Sequence, residues 1–177
     1  FVTLGLFAMF DIYAGTSNWN DAAMGIEGAM VQMISHGFIS GAMFICVGVM
    51  YDRLHSRQIN DYGGVANVMP KFAAFMLLFS MANAGLPATS GFVGEFIVIL
   101  SVFKANFWYA CAAASTLILG AAYTLWMFKR VYLGPVANDD VKELQDINSR
   151  EFLMLALLAV PVLYMGLFPK PFTDIMN

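Results

Sequence analysis

Glu95 is a carboxylate in the middle of the apolar run 72–103, and Gly85, Pro87 and Gly91 stand in the same run. Hydrocarbon is hostile to both features. Backbone groups released by Gly and Pro have no water to bond, so a break at membrane depth occurs where protein or a water-filled cavity covers it. An acid inside a span marks an ion or proton pathway, and a broken helix carrying an ionisable residue is the sequence pattern of a transporter site. The hydrocarbon surroundings disfavour a charged Glu95, while the N-terminus of a second half-helix near Ser90 favours one. A carboxyl balanced between the two can take and release a proton near neutral pH. Gly91, one turn earlier on the same face, leaves room for water. The competing interpretation of Glu95 is a structural acid paired with a base elsewhere.

His36 is the second titratable group inside an apolar stretch. Gln32, His36 and Ser40 are four apart, a spacing that stacks side chains on one helix face, and the three could form part of a hydrogen-bonded wire. Against this stands a neutral packed histidine. Gly37 and Gly41 form a GxxxG pair beside them, which predicts a close helix neighbour on that face. Asp11 and Glu27 are expected as solvated interface acids, Lys129 and Arg130 as topology charges, Lys104 as an outer-surface charge and Lys71 as a snorkelling side chain.

The elements that must position these groups are spans. Of the 177 residues, 60% are hydrophobic and 12% charged, and mean hydropathy is +0.70; soluble domains carry about 25% charged residues. The pattern predicts an all-α integral membrane protein, a polytopic transmembrane helix bundle in one domain. Its helices are expected at 1–13, 25–50, 71–85 with 90–103 as one broken span, 107–128 and 152–168. The first is too short to cross alone, since about 20 residues are needed. With no initiator Met before Phe1, the chain is expected to be a fragment lacking its N-terminal part. Residues 136–150 carry Val141, Leu144 and Ile147 at helical spacing, predicting a short amphipathic helix at the interface, and Pro161 is expected to kink the last span. Seven basic residues fall in 51–71 and 129–150, against Lys104 and Lys170 elsewhere. The positive-inside rule puts the first group in the cytoplasm, and Trp19, Trp108 and Trp126 fall at the two interfaces.

Several functions are excluded as workings of this chain. A net charge of −3 offers no basic stripe to nucleic acid. Cys46 and Cys111 are too few for an ordinary iron–sulfur cluster and are expected as small buried hydrophobes. His36 and His55 have no zinc-ligand spacing. No GxGxxG or P-loop occurs.

The segments Gln32-Met33-Ile34-Ser35-His36-Gly37, Tyr51-Asp52-Arg53 and Gly63-Gly64 resemble the antiporter-like membrane subunits of proton-pumping NADH:quinone oxidoreductase, respiratory complex I. The stretch from Gly85 to Phe96 resembles the chain M, or chain 4, branch, because its sister branches usually carry Lys at the position of Glu95. The resemblance covers essentially the whole chain as the C-terminal third of a fourteen-helix fold. It implies that Glu95 and His36 lie on a hydrophilic axis that translocates protons, with Gln32 and Ser40 as supporting polar groups and Gly85, Pro87 and Gly91 as the helix break. It implies no catalytic, cofactor or metal site in this chain: NADH, FMN, iron–sulfur clusters and quinone belong to partner subunits, and the partners are other membrane-arm subunits and the lipid bilayer. The setting implied is a bacterial plasma membrane or a mitochondrial inner membrane. Two alternatives remain, a subunit of an Mrp-type cation/proton antiporter or membrane-bound hydrogenase, and a non-conducting structural scaffold.

Overall fold

The computed structural model describes residues 1–13, 15 and 19–174, with the side chains of residues 11–13 outside the description. Among the described residues all regular structure is helical. In chain order the helices are α1 (Val2–Tyr13), α2 (Trp19–Leu54), α3 (Val65–Val68), α4 (Pro70–Asn83), α5 (Ser90–Ala105), α6 (Phe107–Tyr132), α7 (Asp139–Lys142), α8 (Ser149–Leu167) and α9 (Lys170–Thr173). Three of them, α2, α6 and α8, are long and apolar enough to cross a membrane. The expected broken span is the pair α4 and α5, of 14 and 16 residues. At 1.5 Å per residue these are rods of about 21 and 24 Å, each shorter than the ~30 Å hydrocarbon core.

The second helix is longer than the expected 25–50. Its 36 residues make a rod of about 54 Å, against which the other elements are registered. Antiparallel to it, α5 is in contact at successive levels. Near one end Lys104 pairs with Asp21 at 2.6 Å and the Ser101 hydroxyl donates to the Asp21 carbonyl. Further along, a Cβ on Gly28 would lie 2.9 Å from the Val98 nitrogen, and one on Gly94 would lie 2.8 Å from the Gln32 Cα. Glycine at 28 and 94 is what lets the two backbones approach this closely. The expected approach face, Gly37 and Gly41, meets nothing within 4 Å among the described residues. The reason is register: α5 rides on the stripe 25, 28, 32, 35, 39, and 37 and 41 lie off it.

At the opposite end of α2 the polar connections pack together. Arg53 binds both carboxylate oxygens of Glu151, at 2.8 and 3.2 Å, and its guanidinium also donates to the Gln145 and Asp146 carbonyls. Asp146 in turn accepts from the backbone N–H groups of Lys71 and Phe72, capping the start of α4. Asn148 and Glu151 form a reciprocal capping box that opens α8. One knot therefore ties α2, α4 and α8, and it places 51–71 and 129–150 on the same side of the bundle, as the charge count requires.

The amphipathic interfacial helix over 136–150 is not what forms. Before α8 opens at Ser149 only Asp139–Lys142 is helical, and Val141, Leu144 and Ile147 are buried in the main core with Phe72, Phe79 and Leu155. The three apolar side chains plug the bundle end, beside the Gln145 and Asp146 carbonyls that Arg53 holds. Cys46 is buried as expected, but Cys111 is exposed, because α6 packs through few of its residues. Trp19, Trp108 and Trp126 are all exposed, the state an interfacial tryptophan needs. Pro161 stands inside an unbroken α8.

Candidate functional site

The break between α4 and α5 is a fully specified turn. Gly85, at φ +76°, ends α4 in the left-handed conformation that glycine adopts without a Cβ penalty. The Leu86 N–H donates to the Met81 carbonyl at 3.0 Å and the Gly85 N–H to Ala82 at 3.3 Å, the paired bonds of a Schellman motif. Thr89 closes the loop by donating both its N–H and its hydroxyl to the Leu86 carbonyl, at 3.1 and 2.6 Å. Ala88 is also left-handed, at φ 74°, a conformation uncommon outside glycine and stored at functional turns. Pro87 fits between them because no backbone donor is needed there. Ser90 starts α5, and its hydroxyl accepts from Ser35 of α2 at 2.8 Å, both side chains fully buried.

Two close approaches hold this turn in place. A Cβ on Gly91 would collide with the Ala82 carbonyl, so the end of α4 lies directly on the start of α5. On another side, α8 touches the turn, since a Cβ on Gly166 would collide with the Ala88 carbonyl and lie 2.5 Å from the Thr89 carbonyl carbon.

Glu95, on the second turn of α5, is 7% exposed. Its Oε1 accepts from Gln32 Nε2 at 3.4 Å. Its Oε2 is buried without a hydrogen-bond partner and lies against the Cα of Gly85, where a Cβ would collide with it. The Gln32 carbonyl oxygen is likewise buried and unpartnered. Gly85 thus serves twice, as the helix stop and as the space for a carboxyl. The arrangement holds one carboxyl oxygen on an amide donor and leaves the other free to carry a proton, and a carboxyl can fill either role by changing its protonation state. Among the described residues no cluster of three or more His, Cys, Asp or Glu could hold a metal ion.

The expected wire of Gln32, His36 and Ser40 divides in the structure. Steps of four residues turn about 40° past a full turn each time, so the stripe drifts out of the α2–α5 seam. Gln32 is half-buried on Glu95, whereas His36 is exposed. Ser40 donates to the His36 backbone carbonyl at 2.6 Å, which commits its proton locally. Glu95 is thus buried while His36 is exposed. Glu27 is half-buried on α2, and the side chain of Asp11 lies outside the described residues. Lys71 is exposed. Arg130 is exposed as well and donates to Asn60 at 3.0 Å. Sequence reasoning placed the start of α5 at Ser90 but missed the Ser35–Ser90 bond, because a hydroxyl in a helix carries no signal of its partner, and it missed the role of Gly94, which depends on the helix opposite.

Residues 12–120 match the family described as NADH:quinone oxidoreductase/Mrp antiporter, transmembrane. The chain is 45% identical over all 177 residues to NADH-quinone oxidoreductase subunit M of Rhodobacter capsulatus and covers 32% of that protein. It is 42% identical, again over its whole length, to NADH-ubiquinone oxidoreductase chain 4 of Prototheca wickerhamii, of which it also covers 32%. The chain thus spans about a third of the length of the curated relatives it matches. Among solved structures, respiratory complex I from Thermus thermophilus with bound NADH superposes with a TM-score of 0.78 at 29% identity, over 99% of this chain and 36% of that one. The Mrp complex from Dietzia sp. superposes with a TM-score of 0.76 at 18% identity, over 87% of this chain and 37% of that one, a likeness of fold.

Proposed function

We propose that this chain, which belongs to the NADH:quinone oxidoreductase/Mrp antiporter transmembrane family, supplies one segment of a proton path in the membrane arm of a proton-pumping NADH:quinone oxidoreductase. The chain is an integral membrane protein; the membrane is the bacterial plasma membrane or its mitochondrial descendant. On this reading NADH oxidation and quinone reduction, with their FMN and iron–sulfur groups, take place in partner subunits. This chain contributes only residues that hold and release protons, and its neighbours are other membrane-arm subunits.

The observation that carries the reading is Glu95. It is buried at the break in the α4–α5 span, with Oε1 on Gln32 and Oε2 unpartnered. An ionised carboxylate in hydrocarbon must be paired or hydrogen-bonded, or it neutralises. Here one amide bond supports the charged form and burial opposes it. A small change in position or in nearby charge then tips the balance, which is what a relay group driven from a distance requires. The break helps, because residues on either side of it move without bending a continuous helix. His36, exposed on α2 one turn beyond Gln32, enters as a further station through groups beyond the described residues.

The test is Glu95→Gln beside Glu95→Asp in the assembled complex, with NADH-driven proton uptake per electron as the readout. Gln keeps the shape and cannot release a proton, so the yield falls; Asp retains part of it. A Gln variant pumping at full yield refutes the relay and leaves Glu95 a packing residue.

A further inference from the structure

The break severs α5 from α4, so the place of α5 along the bundle is set by what it meets on α2. Those meetings form one antiparallel register. Asp21 faces Ser101 and Lys104, Gly28 faces Val98, Gln32 faces Gly94 and Glu95, and Ser35 faces Ser90. Glycine contacts let two helices approach closely but leave them free to slide. Hydrogen bonds are directional and fix a position along the axis. The short ones lie at the two ends of the contact. Near the outer end, Ser101 and Lys104 bind Asp21 at 2.7 and 2.6 Å. At the break, the Ser35 hydroxyl donates to Ser90 at 2.8 Å, and both side chains are fully buried. Between the ends, Gln32 reaches Glu95 at 3.4 Å, a length that tolerates no further separation. Ser35 stands one helical turn from Gln32.

We propose that Ser35 and Ser90 are positioning residues for proton transfer: their hydrogen bond sets the register of α5 on α2 and so keeps Gln32 in reach of Glu95. The proposal rests on the reading of Glu95 as a proton relay. Without this bond the inner end of α5 has no directional tie to α2. No side chain caps that end, and its close approach to the Ala82 carbonyl at Gly91 is a contact without direction. A slip of about 0.2 Å takes the Gln32–Glu95 distance from 3.4 Å to about 3.6 Å, which is no longer a hydrogen bond. The pair at the outer end, Asp21 with Lys104, cannot make up for this, because it lies beyond Glu95 on the side away from the break.

Positioning and mere packing separate in a double-mutant cycle on the assembled complex. Ser35→Ala or Ser90→Ala alone leaves one buried hydroxyl without its partner, which is destabilising, whereas replacing both removes the two polar groups together and is close to neutral. The readouts are the temperature at which the subunit dissociates and NADH-driven proton uptake per electron. Each single variant is expected to lower the dissociation temperature, and the double variant to recover most of it. Proton uptake per electron is expected to fall in all three, because the register tie is absent from each. Ser115→Ala, which removes an exposed hydroxyl bonded to the Ala112 carbonyl, is the control and leaves both readouts unchanged. If a single variant does not assemble, the double variant decides alone. A double variant that pumps at full yield, or whose yield recovers in step with its stability, overturns the proposal and makes the pair a packing contact. A low yield in the double variant beside a full yield in Glu95→Gln keeps the register tie and sinks the relay.

Discussion

Gly94→Ala probes the geometry on which Glu95 depends without touching the acid. A methyl at 94 would lie 2.8 Å from the Cα and Cβ of Gln32 and 2.6 Å from its Oε1. Ordinary carbon contacts begin near 3.4 Å, so α2 and α5 must part by about 0.6 Å, the difference between 3.4 and 2.8. The Gln32–Glu95 bond already stands at 3.4 Å. Parting by that amount takes it to about 4 Å, beyond hydrogen-bond range. The carboxylate then loses the one hydrogen bond the described residues give it, and a bond to a charged group is worth roughly 1.5 to 3 kcal/mol. That is a change of about tenfold or more in how readily the charged form is populated. Overpacking adds a further cost of about 1 to 3 kcal/mol to stability. Gly120→Ala is the matched control, another helical glycine where a methyl has room. The assays are proton uptake per electron in the assembled complex and the temperature at which the subunit dissociates. Gly94→Ala is expected to lower both while Gly120→Ala lowers neither. A Gly94→Ala complex with unaltered yield and unaltered stability refutes the claim that the α2–α5 approach sets the state of Glu95.

The knot at the other end of α2 gives two stability predictions. Arg53→Met leaves Glu151 half-buried and unpaired, at a cost of roughly 2 kcal/mol, between the values for exposed and buried pairs. Arg53→Met with Glu151→Met together is milder than Arg53→Met alone, which thermal dissociation of the complex checks; an equal or larger loss in the double variant shows the pair is idle. Asp146→Ala removes the acceptor for two amide groups at the start of α4, a loss of roughly 1 to 2 kcal/mol of the size seen for helix caps. Asp146→Asn retains an acceptor oxygen and restores most of it; if Asn fares no better than Ala in the same dissociation assay, capping is not what Asp146 contributes.

The break was legible in the sequence because each of its residue types has a local reason. Gly85 is needed at a left-handed stop, and Pro87 dispenses with a donor where none is wanted. A carboxylate five residues past Ser90 stands out against the apolar run around it. What gives Glu95 its surroundings was not legible, since it belongs to the register between two helices 63 residues apart in the chain. Gln32 is visible as a polar residue in a span, but its partner is set by Gly28 and Gly94, which read as ordinary small residues until α2 and α5 are laid side by side. The spacing of Val141, Leu144 and Ile147 satisfies an interfacial helix and a buried plug equally well. In the structure the three are buried beside the Arg53–Glu151 pair, and the sequence alone presents Arg53 only as one more positive charge on the inner side. The same limit applies to His36. Its four-residue spacing from Gln32 reads as a shared face, while the 40° drift per step places it outside the seam.

The break is asymmetric in how it meets its hydrogen-bonding needs, and the asymmetry bears on function. The carbonyls at the end of α4 are taken up by the Schellman pair, and the loop is closed by Thr89 on Leu86. No side chain caps the start of α5. A helix begins with four amide groups that lack intrahelical partners, and in hydrocarbon such groups cannot be left dry without cost. The Ser35–Ser90 bond fixes the position of that end but gives its amides no acceptor. The end still short of acceptors begins the helix that carries Glu95. By contrast, α6 and α8 are capped by Asn106 and Asn148. On the reading proposed above, the uncapped start of α5 lies within two turns of the carboxyl that carries the proton.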